Sequence, residues 1–325
     1  LLGEMARMSG FNVEVGGNLG TPVLDLLEQP VPDFYVLELS SFQLETTSSL
    51  NAKVSTLLNI SEDHMDRYNG LAEYIQAKTR IFNGDGSVVL NKDDKQVISL
   101  KETLRNSRKV IEFTLGQPSE DEFGVCQQDD EQWLCVGNKT LLPVSKLKIK
   151  GQHKIANALA ALAVGQAAGL SMDAMLNSLQ LFPGLPHRTE WIASIDGVDW
   201  FNDSKATNVG AAQAAINGID SKKLVLIAGG QGKEQDFSPL KETIKKKVST
   251  VILIGEDSNL LERVLEHSAS IILADSMTEA VNKAENITQP GDVVLLSPAC
   301  ASFDMFSGYE ERGKAFIKAV NEVQA

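Results

Sequence analysis

Apolar positions along the chain follow two alternating rhythms. Short continuous runs, FYVLEL (34–39), VSTLLNI (54–60), SVVLN (87–91), KLVLIAGG (223–230), VILIGE (251–256), IILAD (271–275) and DVVLLSP (292–298), read as buried strands. Between them lie stretches of helical period. LLGEMARMSG is apolar at 1, 2, 5 and 8 and ends in Ser-Gly; residues 71–82 are periodic; GQHKIANALAALAVGQAAGL predicts a long Ala-rich helix ending at Gly169. Strands alternating with helices predict parallel sheets flanked by helices. Residues 109–150 differ, with KVIEFTL, QWLCVG and TLLPV but no long helical pattern, which predicts a small antiparallel subsheet. WIASIDGVDWFND predicts a hairpin turning at Asp196-Gly197. LFPGLPHRTE (181–190) holds two prolines and a glycine between periodic segments, so the expected domains are 1–184 and 185–325. No internal repeat or low-complexity tract interrupts this plan. The first residue is Leu, and the opening helix has no N-terminal capping residue, which leads us to expect a chain that starts mid-element.

Composition narrows the function classes. A length of 325 residues suits about two domains of roughly 100–200 residues. Forty-three acidic against thirty basic residues leave a net charge of −13, which argues against nucleic acid or an anionic membrane as partner. Three cysteines without a C-x-x-C pair predict reduced thiols. The longest apolar run is too short to span a bilayer and no signal peptide is recognisable, so a cytoplasmic location is expected.

Candidate chemistry gathers where strands end, the place where parallel α/β sheets bind ligands. GGQGK (229–233) invites a phosphate-loop reading, but G-x-x-x-x-G-K-[ST] would need Gly at Ile227 and a hydroxyl at Glu234. The match fails on both sides, so Lys233 serves another purpose. Glu38 stands inside an apolar run beside Ser40 and Ser41, either a strand-edge carboxylate or a ligand. NISEDHMDRY packs Glu62, Asp63, His64, Asp66 and Arg67 together, as a polar loop or as half of a Mg²⁺ or Mn²⁺ site. Lys78 lies on a helix with Arg80, where most lysines are simply solvated. Arg188 lies in the linker, able to reach a phosphate. Asp203, Lys205 and Thr207 alternate towards a helix N-terminus, a ready anion site, although Asp203 and Ser204 could equally be caps. After the last strand, Ser297, Ser302 and Tyr309 can line a pocket. Cys300 has no histidine in its motif and reads as a small buried residue.

At VLELSSFQLE, NISEDHMDRY, GQHKIANALAA, GLPHRTE, NDSKATN and LLSPACASFDMF the chain resembles the Mur ligase family over essentially its whole length. SPACASFDMF and GGQGK resemble the branch that adds D-glutamate. The resemblance implies a P-loop-type ATPase domain, mostly parallel with a small antiparallel subsheet, followed by a Rossmann-like C-terminal α/β domain. The family's phosphate loop and first strand would precede Leu1, as would a uridine-diphosphate-binding domain, and a chain without that loop is expected to be inactive alone. ATP and two Mg²⁺ ions, with Mn²⁺ as a substitute, are the implied cofactors. Glu38 and His64 resemble metal ligands, and Lys78 resembles the family's carbamylated lysine, which makes these three the implied catalytic group. Asn157, Arg188 and Asp203 match ATP-contacting positions. Lys205, Thr207, Lys233, Ser302 and Tyr309 match the amino-acid acceptor pocket, while Asn18, Ser40 and Gln43 match contacts to the nucleotide-sugar substrate. The implied substrates are UDP-N-acetylmuramoyl-L-alanine and D-glutamate, the implied setting peptidoglycan synthesis, and the expected state a monomer. Three competitors remain: a Mur ligase for another amino acid, a folate polyglutamate ligase, and a non-catalytic remnant that binds D-glutamate. A dehydrogenase is a poor fit, since no G-x-G-x-x-G follows any strand.

Overall fold

The computed structural model describes every residue except 19, 66, 150, 220, 324 and 325. It divides the chain into two units, 1–183 and 184–325, with the break inside the Pro- and Gly-bearing segment.

The first unit opens with helix α1 (Leu2–Met8), strand β1 (Val13–Gly17), a short turn of helix α2 (Val23–Leu26), strand β2 (Phe34–Glu38) and helix α3 (Ser41–Thr46). β1 and β2 form a parallel pair of their own. Then come β3 (Val54–Leu57), α4 (Leu71–Thr79), β4 (Ser87–Asn91), α5 (Lys95–Ile98), α6 (Lys101–Arg105) and β5 (Val110–Phe113). β6 (Phe123–Gln128), β7 (Glu131–Val136) and β8 (Lys139–Pro143) complete a six-stranded sheet in the order β3-β4-β5-β6-β7-β8. The helices α7 (Gln152–Ala168) and α8 (Met172–Leu181) close the unit.

The fold corrects two expectations. β5, expected in the antiparallel subsheet, pairs parallel with β4, and only β6-β7-β8 run antiparallel. The reason lies in the connections: α5 and α6 carry the chain across from β4 to β5, whereas tight turns link β6, β7 and β8. The cysteines also depart from the reduced state expected, because Cys126 and Cys135 are joined as a disulfide across the β6-β7 hairpin. Their Cα atoms lie 6.2 Å apart on adjacent strands, within bridging reach, a proximity that sequence spacing does not reveal. Cys300 is free and buried.

β3 stops at Leu57, short of the run to Ile60, because side chains take over the backbone pairing. Asn91 Nδ2 donates to the Leu58 carbonyl at 2.8 Å, and the Ile60 N–H donates to Asp94 at 3.0 Å. α7 lies against this sheet with Leu159 and Leu162 fully buried among its alanines. A Cβ on Gly165 would collide with the Met175 sulfur, so this glycine sets how closely α8 approaches. Gly169 ends the helix in the left-handed region at φ 90°. Leu159→Ala is expected to destabilise this unit by about 2–5 kcal/mol, read as a lower urea midpoint at unchanged slope.

The second unit begins with the hairpin β9 (Glu190–Ile195) and β10 (Val198–Asn202), whose turn residues Asp196 and Gly197 both have positive φ, 50° and 78°. It continues through α9 (Val209–Gly218), β11 (Leu224–Gly229), α10 (Leu240–Lys247), β12 (Val248–Ile254), α11 (Ser258–Leu265), β13 (Ser270–Leu273), α12 (Met277–Ile287), β14 (Val293–Leu296) and α13 (Tyr309–Val323). The sheet order is β13-β12-β11-β14-β10-β9, parallel except for the β9 edge. Successive residues of β11 serve opposite cores. Leu224, Leu226 and Ala228 pack with Ile216, Leu240 and Ile244, whereas Val225 and Ile227 pack with Val281, Phe316 and Val320. Both faces are covered, so the strands read as unbroken apolar runs. β11 leads outward to β12 and β13, and the chain then returns to place β14 on the other side of β11. That reversal is the topological switch point, where this architecture opens a crevice at the strands' carboxyl ends. No helix among the described residues is long and apolar enough to cross a membrane.

Candidate functional site

In the first unit the polar residues stand at the carboxyl end of β2. Glu38 is exposed there, and its Oε1 accepts from Asn18 Nδ2 at 3.0 Å, since parallel pairing sets Gly17 opposite Glu38. Ser40 caps α3 in a reciprocal box with Gln43: its Oγ accepts the Gln43 N–H at 3.3 Å, and Gln43 Oε1 accepts the Ser40 N–H at 2.8 Å. Both therefore have a local structural task. The loop after β3 is held against α3, with Glu45 accepting from Arg67 and from the Tyr68 hydroxyl, each at 2.5 Å. This brings the His64 ring to 4.8 Å from Phe42. The His64 backbone is left-handed at φ 58°, and its N–H donates to Asp63 at 3.0 Å. Asp66 lies outside the described residues.

Lys78, on α4, has its ammonium 4.9 Å from the centre of the Tyr74 ring. Burial holds its pKa below the usual lysine range, and the negative charges of Asp63 and Glu38 oppose that shift. Glu38 and Asp63, the residue before His64, thus both act electrostatically on Lys78. Among the described residues no three of His, Cys, Asp and Glu are grouped so as to hold a metal by themselves. A Mg²⁺ ion takes only one or two protein ligands besides water and phosphate oxygen, and the exposed Glu38 carboxylate can offer one. Asn157 is exposed near the start of α7.

In the second unit the candidate residues lie on the segments that follow β10, β11 and β14. After β10 the chain runs through Asp203, Lys205 and Thr207 to α9, which Asn208 caps. Asp203 is 7% exposed. Its Oδ1 accepts the Thr189 N–H at 3.0 Å, and its Oδ2 accepts from the Ser297 hydroxyl at 2.8 Å. It therefore ties the turn carrying exposed Arg188 to the ends of β10 and β14. The Lys205 ammonium sits 3.8 Å from the centre of the Tyr309 ring at the start of α13. Burial first, then the hydrogen bond with Glu310, pushes the Tyr309 phenol up to about 12, so it remains a neutral hydroxyl.

The turn after β11 has Lys233 and Glu234 both left-handed, at φ 50° and 59°. Its Gly232 N–H, which a phosphate loop would aim at an anion, donates to Asp257 at 2.6 Å. This agrees with the failed phosphate-loop pattern. The Gln231 N–H and Ala301 carbonyl, and the reverse pair, bond at 3.0 and 2.9 Å, and so set the Lys233 turn beside the Ser302 loop. The Lys233 ammonium reaches to 5.8 Å from the exposed Phe303 ring, while Ser302 is buried. Gln235, which sequence reasoning missed, donates to the Ala299 carbonyl at 2.8 Å and accepts from the Val209 N–H at 3.2 Å. It joins the loops that follow β11 and β14 to the start of α9. A glutamine in an aperiodic turn carries no local signal of this.

Lys205 and Lys233 thus carry amines on two of the loops beyond the strand ends, and Thr207, Ser302 and Tyr309 carry hydroxyls on or next to them. Cys300 is no rival nucleophile, because burial pushes its thiol up to about 12. A separate cavity of about 580 Å³ opens at the ends of β12 and β13, where Glu256, Asp275 and Asp304 would repel a dicarboxylate.

Comparison with known proteins agrees with this geometry. Residues 18–165 match the Mur ligase middle domain, and residues 187–300 match the Mur ligase glutamate ligase domain. The chain is 54% identical over 324 residues to the UDP-N-acetylmuramoylalanine–D-glutamate ligase of Nitrosococcus oceani, covering 99% of this chain and 71% of that protein. It is 52% identical over 319 residues to the ligase of the same name from Hahella chejuensis, covering 97% and 71%. Among solved structures, MurF ligase of Thermotoga maritima in complex with ADP superposes with a TM-score of 0.72 at 17% identity, over 99% of this chain and 78% of that one. A pseudomurein peptide ligase type C from Methanothermus fervidus gives a TM-score of 0.72 at 17% identity, over 99% and 75%. The matched domains and the high identity establish that the chain belongs to the Mur ligase family.

Proposed function

We propose that this chain serves an ATP-dependent ligase that joins D-glutamate to UDP-N-acetylmuramoyl-L-alanine in peptidoglycan synthesis. What supports the reading is the relatives of that name at about half identity over nearly the whole chain, with Lys205, Lys233, Ser302 and Tyr309 on the segments that follow β10, β11 and β14. Residues 1–184 would handle the nucleotide-sugar and most of ATP, and residues 185–325 the amino acid, with Arg188 turned to a phosphate.

The γ-phosphoryl of ATP passes to an oxygen of the alanyl carboxylate, giving an acyl phosphate and ADP. The deprotonated amine of D-glutamate then attacks the carbonyl carbon. Collapse of the tetrahedral intermediate expels inorganic phosphate and leaves the amide. Mg²⁺ ions, when bound, supply neutralisation of phosphate charge. The chain's own residues position the reactants. Glu38 and His64 offer single contacts to the cations, and Lys78 does so once CO₂ has converted its neutral amine to a carbamate. Asn18, Ser40 and Gln43 face the nucleotide-sugar, with Asn18 also steadying Glu38. Asn157 and Arg188 contact ATP, and Asp203 holds the turn that presents Arg188. Lys233 and Lys205 pair with the glutamate carboxylates, while Thr207, Ser302 and Tyr309 supply hydroxyls that fix its configuration.

Titration calorimetry on the chain tests the acceptor half directly. D-Glutamate is expected to bind and L-glutamate to bind at least about tenfold more weakly. In a turnover assay, ADP release is expected to require both D-glutamate and the uridine nucleotide. ADP release with L-glutamate in the absence of a uridine nucleotide would instead favour the folate-type ligase.

A further inference from the structure

Arg312 takes no part in that chemistry, yet it is among the most deeply placed side chains of the molecule, at 1% exposure. Its partners are three carbonyls and one hydroxyl. Nε donates to Ser204 Oγ at 3.0 Å and Nη2 to the Ser204 carbonyl at 2.8 Å. Nη1 donates to the carbonyls of Cys300 and Ala301 at 3.0 and 3.1 Å. Ser204 in turn donates its hydroxyl to the Tyr309 carbonyl at 2.8 Å. One guanidinium thus grips the residue beside Lys205, the two residues before Ser302, and, through Ser204, the first residue of α13.

We propose that Arg312 is the positioning residue of the acceptor pocket, clamping the Lys205–Thr207 loop to the Ser302 loop at the foot of the helix that presents Tyr309. The inference rests on the reading of those residues as the D-glutamate site. Burying a guanidinium is costly, and a clamp of apolar residues would hold a core without that cost. The fork is suited to the place because both loops turn carbonyls inward beyond the strand ends, and a planar group with fixed donors satisfies several at once. A lysine ammonium reaches fewer of them and sets no plane.

The neighbouring contacts are built around the same point. A Cβ on Gly230 would collide with the Ala301 carbonyl and meet Arg312 Nη1 at 3.3 Å, so the turn leading to Lys233 passes directly against the clamp. A Cβ on Gly313 would collide with His187 Nδ1, and that nitrogen lies 2.8 Å from Asn202 Nδ2, at the end of β10. The start of α13 is therefore seated on the β10 end from two sides. All three acceptor loops gather around one deeply buried cation.

The test compares wild type, Arg312→Lys and Ser204→Ala for D-glutamate affinity, thermal midpoint and amide exchange in residues 203–207 and 300–302. Arg312→Lys is expected to stay folded, to weaken D-glutamate binding by about tenfold or more, and to speed exchange in both loops together. Ser204→Ala, the milder change, is expected to weaken binding in the same direction by about threefold. In a turnover assay, KM for D-glutamate should rise while KM for ATP and kcat hold, a split that general destabilisation does not produce. Either folded variant keeping wild-type affinity and loop exchange would overturn the proposal. Should wild type itself fail to bind D-glutamate, the acceptor reading falls and the proposal with it. Loss in the variants alone supports both.

Discussion

Replacing Lys78 with alanine is expected to lower turnover by about three orders of magnitude or more while D-glutamate binding by the second unit is unchanged. Lys78 is a helix lysine whose burial depresses its pKa, so more of it is the neutral amine that reacts with CO₂ than an exposed lysine would offer. The step balances as amine plus CO₂ giving a carbamate and a released proton. In the proposed role this would turn a cation, which repels Mg²⁺, into an oxygen donor. Lys78→Arg preserves the positive charge but forms no such carbamate, so it should be as inactive as the alanine variant. Protein equilibrated with ¹³C-labelled CO₂ should show a carbamate carbon signal that is absent from both variants. The signal should fade on acidification, as the amine takes up its proton, and turnover should drop in CO₂-free buffer. Full activity in Lys78→Arg would sink the carbamate role.

Lys233→Ala is expected to weaken D-glutamate binding by about 30- to 100-fold, the loss of roughly 2–3 kcal/mol for a charge-assisted contact. The side chain is exposed and reaches no carboxylate among the described ion pairs, so its removal breaks little of the fold. Its backbone, however, is left-handed at φ 50°. Lys233→Gly separates the two properties: glycine accepts that φ without strain, so stability should hold or rise while binding is still lost. A glycine variant that bound D-glutamate normally would show that the turn, and not the ammonium, does the recognising. Calorimetry and a thermal melt on the same samples give both readouts.

The loops proposed to hold the acceptor and the Lys78 neighbourhood were legible in the sequence to different degrees. Spacing placed Lys205, Lys233 and Ser302 at strand ends, because apolar runs mark where strands stop and turn residues mark the loops beyond them. Lys78 gave no local sign, since a lysine on a helix looks the same whether it faces water or a carboxylate. It was the family resemblance that singled it out, and the fold shows the burial that depresses it.

By itself the sequence determined the two βα-rich units, the break near Pro183, the Asp196-Gly197 turn and the end of α7 at Gly169, all of which rest on periodicity and on residues with particular φ values. Tertiary structure alone decided that β14 returns beside β11, which brings the loops after β11 and β14 together. It decided that β5 runs parallel, that Cys126 meets Cys135, and that Arg312 reaches back 108 residues to Ser204. Local propensity depends on neighbours within a turn or two. Strand order and buried polar contacts depend on which distant segments share a core, and that comes from burying both faces of each sheet at once.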